Sequence, residues 1–228
     1  MIDSLGDVLP FAAGVALSPI PIIGVILMLS ADRSRVTGPA FGVAWVVGLS
    51  TITVAFVAAM SAAEGEGDLT DPANAATTGI GWAKLLVGGA FLALAVHKWR
   101  TRPRDGEEPK LPAWMDNTSD ISGSKAAGFG LLLSAANPKN LALVGAAAAA
   151  IVEQTGGATP AVEAIVVFVA LGSLSVLIPI AASIVAPQRA AVALEDLRHF
   201  MTRNNTAIMM TVLVILGLKM VGDGLKIF

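Results

Sequence analysis

The chain has 228 residues, 55% of them hydrophobic and 14% charged, with a mean hydropathy of +0.74 and a net charge of −2. A soluble domain carries nearly twice that charged fraction, so lipid must be the solvent for much of this surface. There is no cysteine, which excludes disulfides, thiolate metal sites and thiol redox transfer.

About 20 apolar residues span a bilayer core as a helix. Six blocks of that kind follow one another at about 9–30, 38–60, 79–98, 126–151, 161–186 and 206–227. The expected fold class is all-α, a polytopic membrane protein with six transmembrane helices. Asp3 and Asp7, not basic residues, precede the first block, so it reads as a retained helix and not as a cleaved signal peptide. This block contains 14-GVALSPIP-21, in which Ser18 stands ahead of Pro19 and Pro21. Proline inside a helix removes a backbone hydrogen bond and clashes with the preceding turn. At the first position of a new helix, behind a capping Ser or Asn, it is well placed. The first span is therefore expected to break at Ser18-Pro19 and restart.

The second span opens 39-PAFG and carries a small-residue pair, Gly38 and Gly42, suited to close helix contact within the molecule. Ser50, Thr51 and Thr53 form a polar spot along it, either lining a cavity or bonding back to their own helix. In the third span Lys84 can snorkel from the helix end. Residues 99–125 are proline-rich and charged, a flexible cytoplasmic linker. The chain thus divides into residues 1–98, the linker 99–125, and residues 126–228.

The fourth span holds 130-GLLLSAANPKN-140, a second break of the same form, with Asn137 capping and Pro138 restarting. Gly145 and the five alanines behind it predict close packing. The fifth span opens 160-PAVE and carries Ser173 and Ser175. Between it and the sixth, Ala190, Leu194, Leu197 and Met201 recur at helical spacing in 188–203. That segment reads either as a helix on the inner membrane surface or as an amphipathic connector. In the sixth span Lys219 and Asp223 are four apart and are expected to pair, and Lys226 can snorkel.

Charge sets the orientation. Arg33, Arg35, Lys98, Arg100, Arg102, Arg104, Lys110, Lys125, Arg189, Arg198 and Arg203 all fall on alternate loops. The opposite loops hold Asp3, Asp7, Glu64, Glu66, Asp68, Asp71 and Glu153 and no basic residue. The positive-inside rule gives an N-out, C-out protein of the cytoplasmic membrane. Gly14 and Ser18 match Gly130 and Ser134 at an offset of 116, Gly48 has its counterpart in Gly172, and Gly89 and Lys98 match Gly217 and Lys226 at 128. Three spans per repeat force opposite orientations, so the expected architecture is a 3+3 inverted repeat with broken helices 1 and 4, a construction common in secondary transporters.

At about 1.5 Å per residue both breaks fall within about 5 Å of the midplane. Each restarted helix presents free N–H groups and roughly half a positive charge, a ready anion site. Lys139 adds a whole charge at a depth where an ionisable group costs about 2.5–3.5 kcal/mol and is usually functional. A purely structural pairing of Lys139 with a helix C-terminus is the competing reading. The candidate substrate-binding residues are Ser18, Pro19, Pro21, Ser134, Asn137, Pro138, Lys139 and Asn140. Glu163 and Asp223 are candidates for proton coupling. No Walker A loop occurs, so no ATP hydrolysis by that route is expected, and no His, Cys or carboxylate cluster stands where a transition-metal carrier would want one. The expectation is a transporter with no cofactor, no enzymatic activity and no nucleic-acid partner.

The segments ALSPIPIIGVILML and SAANPKNLAL, with the six spans, the charged linker and the C-terminal GLKMVGDGLK, resemble the GAP (sulfolipid- and glycopeptidolipid-addressing) family. That family is placed in the lysine-exporter (LysE) superfamily, where an NPK-type break also occurs in the fourth span. The resemblance implies movement of an envelope glycolipid or its precursor across the cytoplasmic membrane of a high-GC Gram-positive bacterium. It also implies that Ser18, Pro19, Pro21, Asn137, Pro138, Lys139 and Asn140 surround the transport site. Two alternatives remain open at this stage: export of a small amino acid or organic anion, and a non-transporting membrane scaffold for envelope-lipid assembly. Envelope-synthesis proteins or a second copy of the chain are the partners these readings allow.

Overall fold

Lipid offers a backbone no hydrogen bonds, so an apolar chain must satisfy its N–H and C=O groups within itself. The computed structural model describes residues 2–31, 34–65, 72–102, 121–154 and 158–226, and every regular element among them is a helix. In chain order these are α1 (Ile2–Ala16), α2 (Pro19–Ser30), α3 (Ser34–Gly65), α4 (Pro72–Arg100), α5 (Gly123–Ala135), α6 (Pro138–Gln154), α7 (Ala158–Val185) and α8 (Pro187–Leu225). Residues 103–120 of the predicted linker, together with Asp32, Arg33 and residues 66–71, lie outside the described residues.

The chain is a multi-pass helical membrane protein. α3, α7 and α8 are each long and apolar enough to cross a membrane, and the pairs α1–α2 and α5–α6 pass the same test as bent spans. The predicted third span lies in α4, whose described residues do not pass that test, so five of the six expected spans are found; its side chains are described at Trp82 and from Lys84 onward. Two exposed tryptophans, Trp82 and Trp99, mark α4 at points 17 residues apart, about 25 Å along a helix. That interval suits aromatic residues at the two interfaces of a bilayer core. Arg102 lies over the Trp99 ring at 3.7 Å.

Two groups of contacts identify opposite ends of the bundle. At the end carrying the basic loops, the last turn of α2, the first turns of α3 and α8 and the last turn of α7 surround one cavity. Thr37 at the start of α3 donates to the Met28 carbonyl near the end of α2 at 2.6 Å. At the acidic end, Lys84 on α4 grips both carboxylate oxygens of Glu153 on α6 at 2.7 Å. Lys219 on α8 reaches Asp7 on α1 at 3.3 Å and Asp223 at 2.5 Å. Free snorkelling, expected for Lys84 and Lys226, is thus replaced by pairing, because Glu153 and Asp223 lie within reach at the same depth.

Glycines bring the helices together. A Cβ on Gly130 of α5 would strike the Phe41 backbone carbonyl of α3, and one on Gly48 of α3 would strike the Ser134 hydroxyl of α5. On α7, Gly172 lies against Val15 of α1, and a Cβ there would come within 3.3 Å of the valine side chain. α4 and α8 cross where Gly88 faces the Gly217 backbone, so closely that a Cβ on Gly88 would lie 2.9 Å from the Gly217 carbonyl oxygen. Gly89, the residue that matches Gly217 in the repeat, is exposed and faces open space. Gly38 and Gly42 pack on Leu29 and Ile180, an intramolecular use as expected. Phe11, Phe41, Trp45 and Phe168 fill the centre, while Val43, Val47, Val54, Val166, Ile178, Ile215 and Leu218 face outward. The alanine run behaves as expected too, with Ala146, Ala147, Ala148 and Ala150 buried.

The connector 188–203 and the sixth span form one helix, α8, of 39 residues. At about 58 Å it exceeds a ~30 Å core by far, so its first half projects beyond the apolar layer. Ala190 is buried, and Leu194, Leu197 and Met201 pack against the protein's own core. The apolar face of 188–203 thus covers protein, as an amphipathic connector does.

Candidate functional site at the two helix breaks

Each bent span turns where proline requires it. The α1–α2 and α5–α6 pairs are both bent by 52°. Pro19 opens α2 behind Ser18, whose backbone is extended (φ −77°, ψ 112°) and whose side chain makes no capping bond. Pro138 opens α6 behind Asn137, whose Oδ1 accepts the Lys139 N–H at 3.1 Å. Both caps fall where expected, although only the asparagine uses its side chain.

A broken helix has two ends, and the upstream one lacks donors as much as the downstream one lacks acceptors. At the first break the Ser18 N–H turns to the Val15 carbonyl (3.2 Å), so the Gly14 carbonyl receives no bond from it. At the second, the Ala136 N–H bonds the Leu132 carbonyl (3.0 Å), and the next carbonyl, Leu133, needs a donor. Successive residues of α6 serve both stubs. Lys139 Nζ donates to the Gly14 carbonyl at 2.7 Å, 125 residues away in sequence. Asn140 Nδ2 donates to the Leu133 carbonyl at 2.9 Å. One turn of α6 thus ties the two breaks together.

The lysine therefore stands between ends of opposite sign: the negative C-terminus of α1 and the positive N-terminus of its own helix. Pairing with a helix C-terminus was the competing sequence reading, and that bond is present. It uses one of the three ammonium donors. The Lys139 and Asn137 side chains are half-buried, whereas Asn140 is fully buried and its Oδ1 accepts no bond from the described residues. Ser18 and Ser134 are buried, and Ser134 donates back to the Leu131 carbonyl at 3.1 Å. Pro19 and Pro21 are buried in the first turn of α2, while Pro138 is exposed.

The other candidates lie elsewhere. Glu163 is exposed on the first turns of α7. Asp223 is held by Lys219 at 2.5 Å and Lys226 at 3.2 Å. Of the polar spots, Thr53 bonds back to the Leu49 carbonyl at 2.7 Å, while the buried Ser173 and Ser175 hydroxyls have no partner among the described residues. The carbonyl acceptor at Gly14 escaped the sequence reading. Its signal was available, because a proline that frees N–H groups downstream also orphans carbonyls upstream.

Fold and site together define a helical membrane protein built around two proline-broken spans joined by a half-buried lysine bridge. A family model described as Sap, sulfolipid-1-addressing protein, matches residues 8–226, and the chain belongs to that family. No curated protein and no solved structure matches the chain.

Proposed function

We propose that the protein is a transporter of the bacterial cytoplasmic membrane that moves an anionic envelope glycolipid, or its precursor, with the headgroup held at the two helix breaks. The family name points to lipid addressing. The observation that carries the reading is the bond from Lys139 to the Gly14 carbonyl, which joins two equally bent spans through an ionisable side chain. Two ammonium donors remain for an anion, and the restarted ends of α2 and α6 add backbone N–H groups. An anion held by those donors draws the ammonium toward itself and weakens its bond to the Gly14 carbonyl. Binding and the loosening of the α1–α6 contact are then the same event.

The proposed architecture is six spans in a 3+3 inverted repeat, with the basic loops in the cytoplasm. Three features support it: the equal bends, the packing of α5 on α3 beside that of α1 on α7, and the Gly88–Gly217 crossing of α4 and α8. Inverted repeats of this kind place the substrate where the broken helices meet and expose it alternately to each side. The ion pairs Lys84–Glu153 and Asp7–Lys219 close the acidic end, while the basic end holds a cavity, an arrangement suited to a state open to the cytoplasm.

Reconstitution of the purified chain alone, in liposomes containing headgroup-labelled anionic and neutral lipids, tests the proposal. Faster transbilayer movement of the anionic lipid is expected. Uptake of small amino or organic acids without lipid movement would replace this reading with solute export. Movement of neither, by protein that retains its fold, would leave a scaffold role.

A further inference from the structure

Away from the breaks, a cavity of about 660 Å³ lies among the basic-end termini of α2, α3, α7 and α8. The polar part of its wall comes from Ser30, Ser34, Arg35 and Ser183; the larger, apolar part is Leu29, Ile184, Pro187, Ala191 and Leu194. No carboxylate stands among these lining residues. The nearest in sequence, Glu195, is occupied by Arg198 (2.9 Å to Nε) and His199 (3.0 Å). Among the described residues Arg35 is therefore the charged side chain of the wall. The N-termini of α3 and α8 add to the positive side, and the last turns of α2 and α7 offset part of it.

The hydroxyls narrow the ligand further. Ser30 donates to the Ile26 carbonyl at 3.0 Å and Ser183 to the Ile180 carbonyl at 2.8 Å. With their protons committed, they offer lone pairs and so accept from hydroxyl or amide donors. An anion is left to Arg35, whose planar fork matches sulfate or phosphate. The volume suits a headgroup and is too small for a lipid with several chains. On the outer side, Ile184 (69% exposed), Val185 (83%) and Val192 (66%) continue the apolar wall onto the surface. Chains leaving the cavity there would meet apolar side chains facing lipid.

We propose that this cavity is a loading site on the cytoplasmic side for an amphiphile whose headgroup carries both a sulfate or phosphate and hydroxyl groups. Arg35 binds the anion, Ser30 and Ser183 accept from the hydroxyls, and the chains pass over Ile184 and Val185. It is distinct from the site at the breaks and deepens the transport reading, on which its orientation and role as a loading site rest.

Because the chain has no cysteine, Val192→Cys can carry a single environment-sensitive fluorophore beside the cavity. The labelled protein in phosphatidylcholine nanodiscs is titrated with short-chain phosphatidylglycerol, phosphatidylcholine of the same chain length, and inorganic sulfate. Saturable binding of phosphatidylglycerol is expected, about tenfold weaker in Arg35→Gln, as the loss of a charge-assisted pair implies. Ala191→Trp, which fills the cavity and keeps the arginine, is expected to abolish the signal. Equal affinity for phosphatidylcholine, or unchanged binding in both variants, would overturn the proposal. Sulfate alone binding as well as phosphatidylglycerol would assign the cavity to a free anion and overturn the amphiphile. Arg35-dependent binding by a protein that moves no lipid in liposomes would sink the transport reading and leave this site standing.

Discussion

Replacing Lys139 with methionine keeps most of the side chain's volume and removes the ammonium. The Gly14 carbonyl then loses its 2.7 Å donor, and the Ser18 N–H remains committed to Val15. An orphaned buried carbonyl costs about 1–3 kcal/mol. The lost attraction between a cation and the C-terminus of α1 adds roughly 0.3–1 kcal/mol. Against this, a membrane-embedded ammonium costs about 2.5–3.5 kcal/mol to hold at depth, and the variant is relieved of it. The two sides nearly cancel. Lys139→Met should therefore unfold within about 4 °C of the wild-type midpoint, since 1 kcal/mol shifts a chain of this size by about 2–4 °C. Lipid movement in liposomes should nevertheless fall by at least about tenfold, because a charge-assisted contact to the headgroup is gone. Thermal unfolding in detergent and the liposome assay are run on the same preparation. Wild-type transport would refute the role of the lysine. A midpoint lowered by more than about 10 °C would show the bridge to be chiefly structural.

Asn140 differs, being neutral and fully buried. Asn140→Leu leaves the Leu133 carbonyl without its donor and should lower stability by about 1–3 kcal/mol, read as a fall of several degrees in the unfolding midpoint. Gly130→Ala forces a methyl against the Phe41 backbone and should cost about 1–3 kcal/mol or prevent accumulation of the protein, while Gly89→Ala, facing open space, should match wild type. Expression level and unfolding midpoint separate the two. The double variant Glu163→Gln, Asp223→Asn is expected to flatten the pH dependence of transport. An intact rate and pH profile would remove both carboxylates from proton coupling.

Much of this was legible in the sequence because the lipid environment permits few solutions. Apolar length marked five spans, two of them bent, and SPIP and NPKN marked both breaks, since a Ser or Asn directly ahead of a proline can cap a restarted helix. The Asn137 cap, the Thr53 back-bond and the Lys219–Asp223 pair are local in sequence and were equally readable. Contacts between distant segments were not. Nothing in the order of residues says that Lys139 meets Gly14, that Lys84 meets Glu153, or that Gly88 and not Gly89 turns toward Gly217. A rotation of one residue about a helix axis, about 100°, decides the last of these. The cavity at the basic end was hidden for the same reason, because Ser30, Arg35, Ser183 and Ala191 come together only after four helix ends are placed.

The claim that the two breaks hold an anionic headgroup can be tested by cross-linking at Ala136, an exposed residue directly before the second break. A photoreactive side chain introduced there, with protein in mixed liposomes, is irradiated and its adducts are identified by mass spectrometry. The account predicts adducts with the anionic lipid in preference to the neutral one, lost when Lys139→Met is added. Adducts that follow bulk lipid composition, or persist unchanged without the lysine, would contradict it.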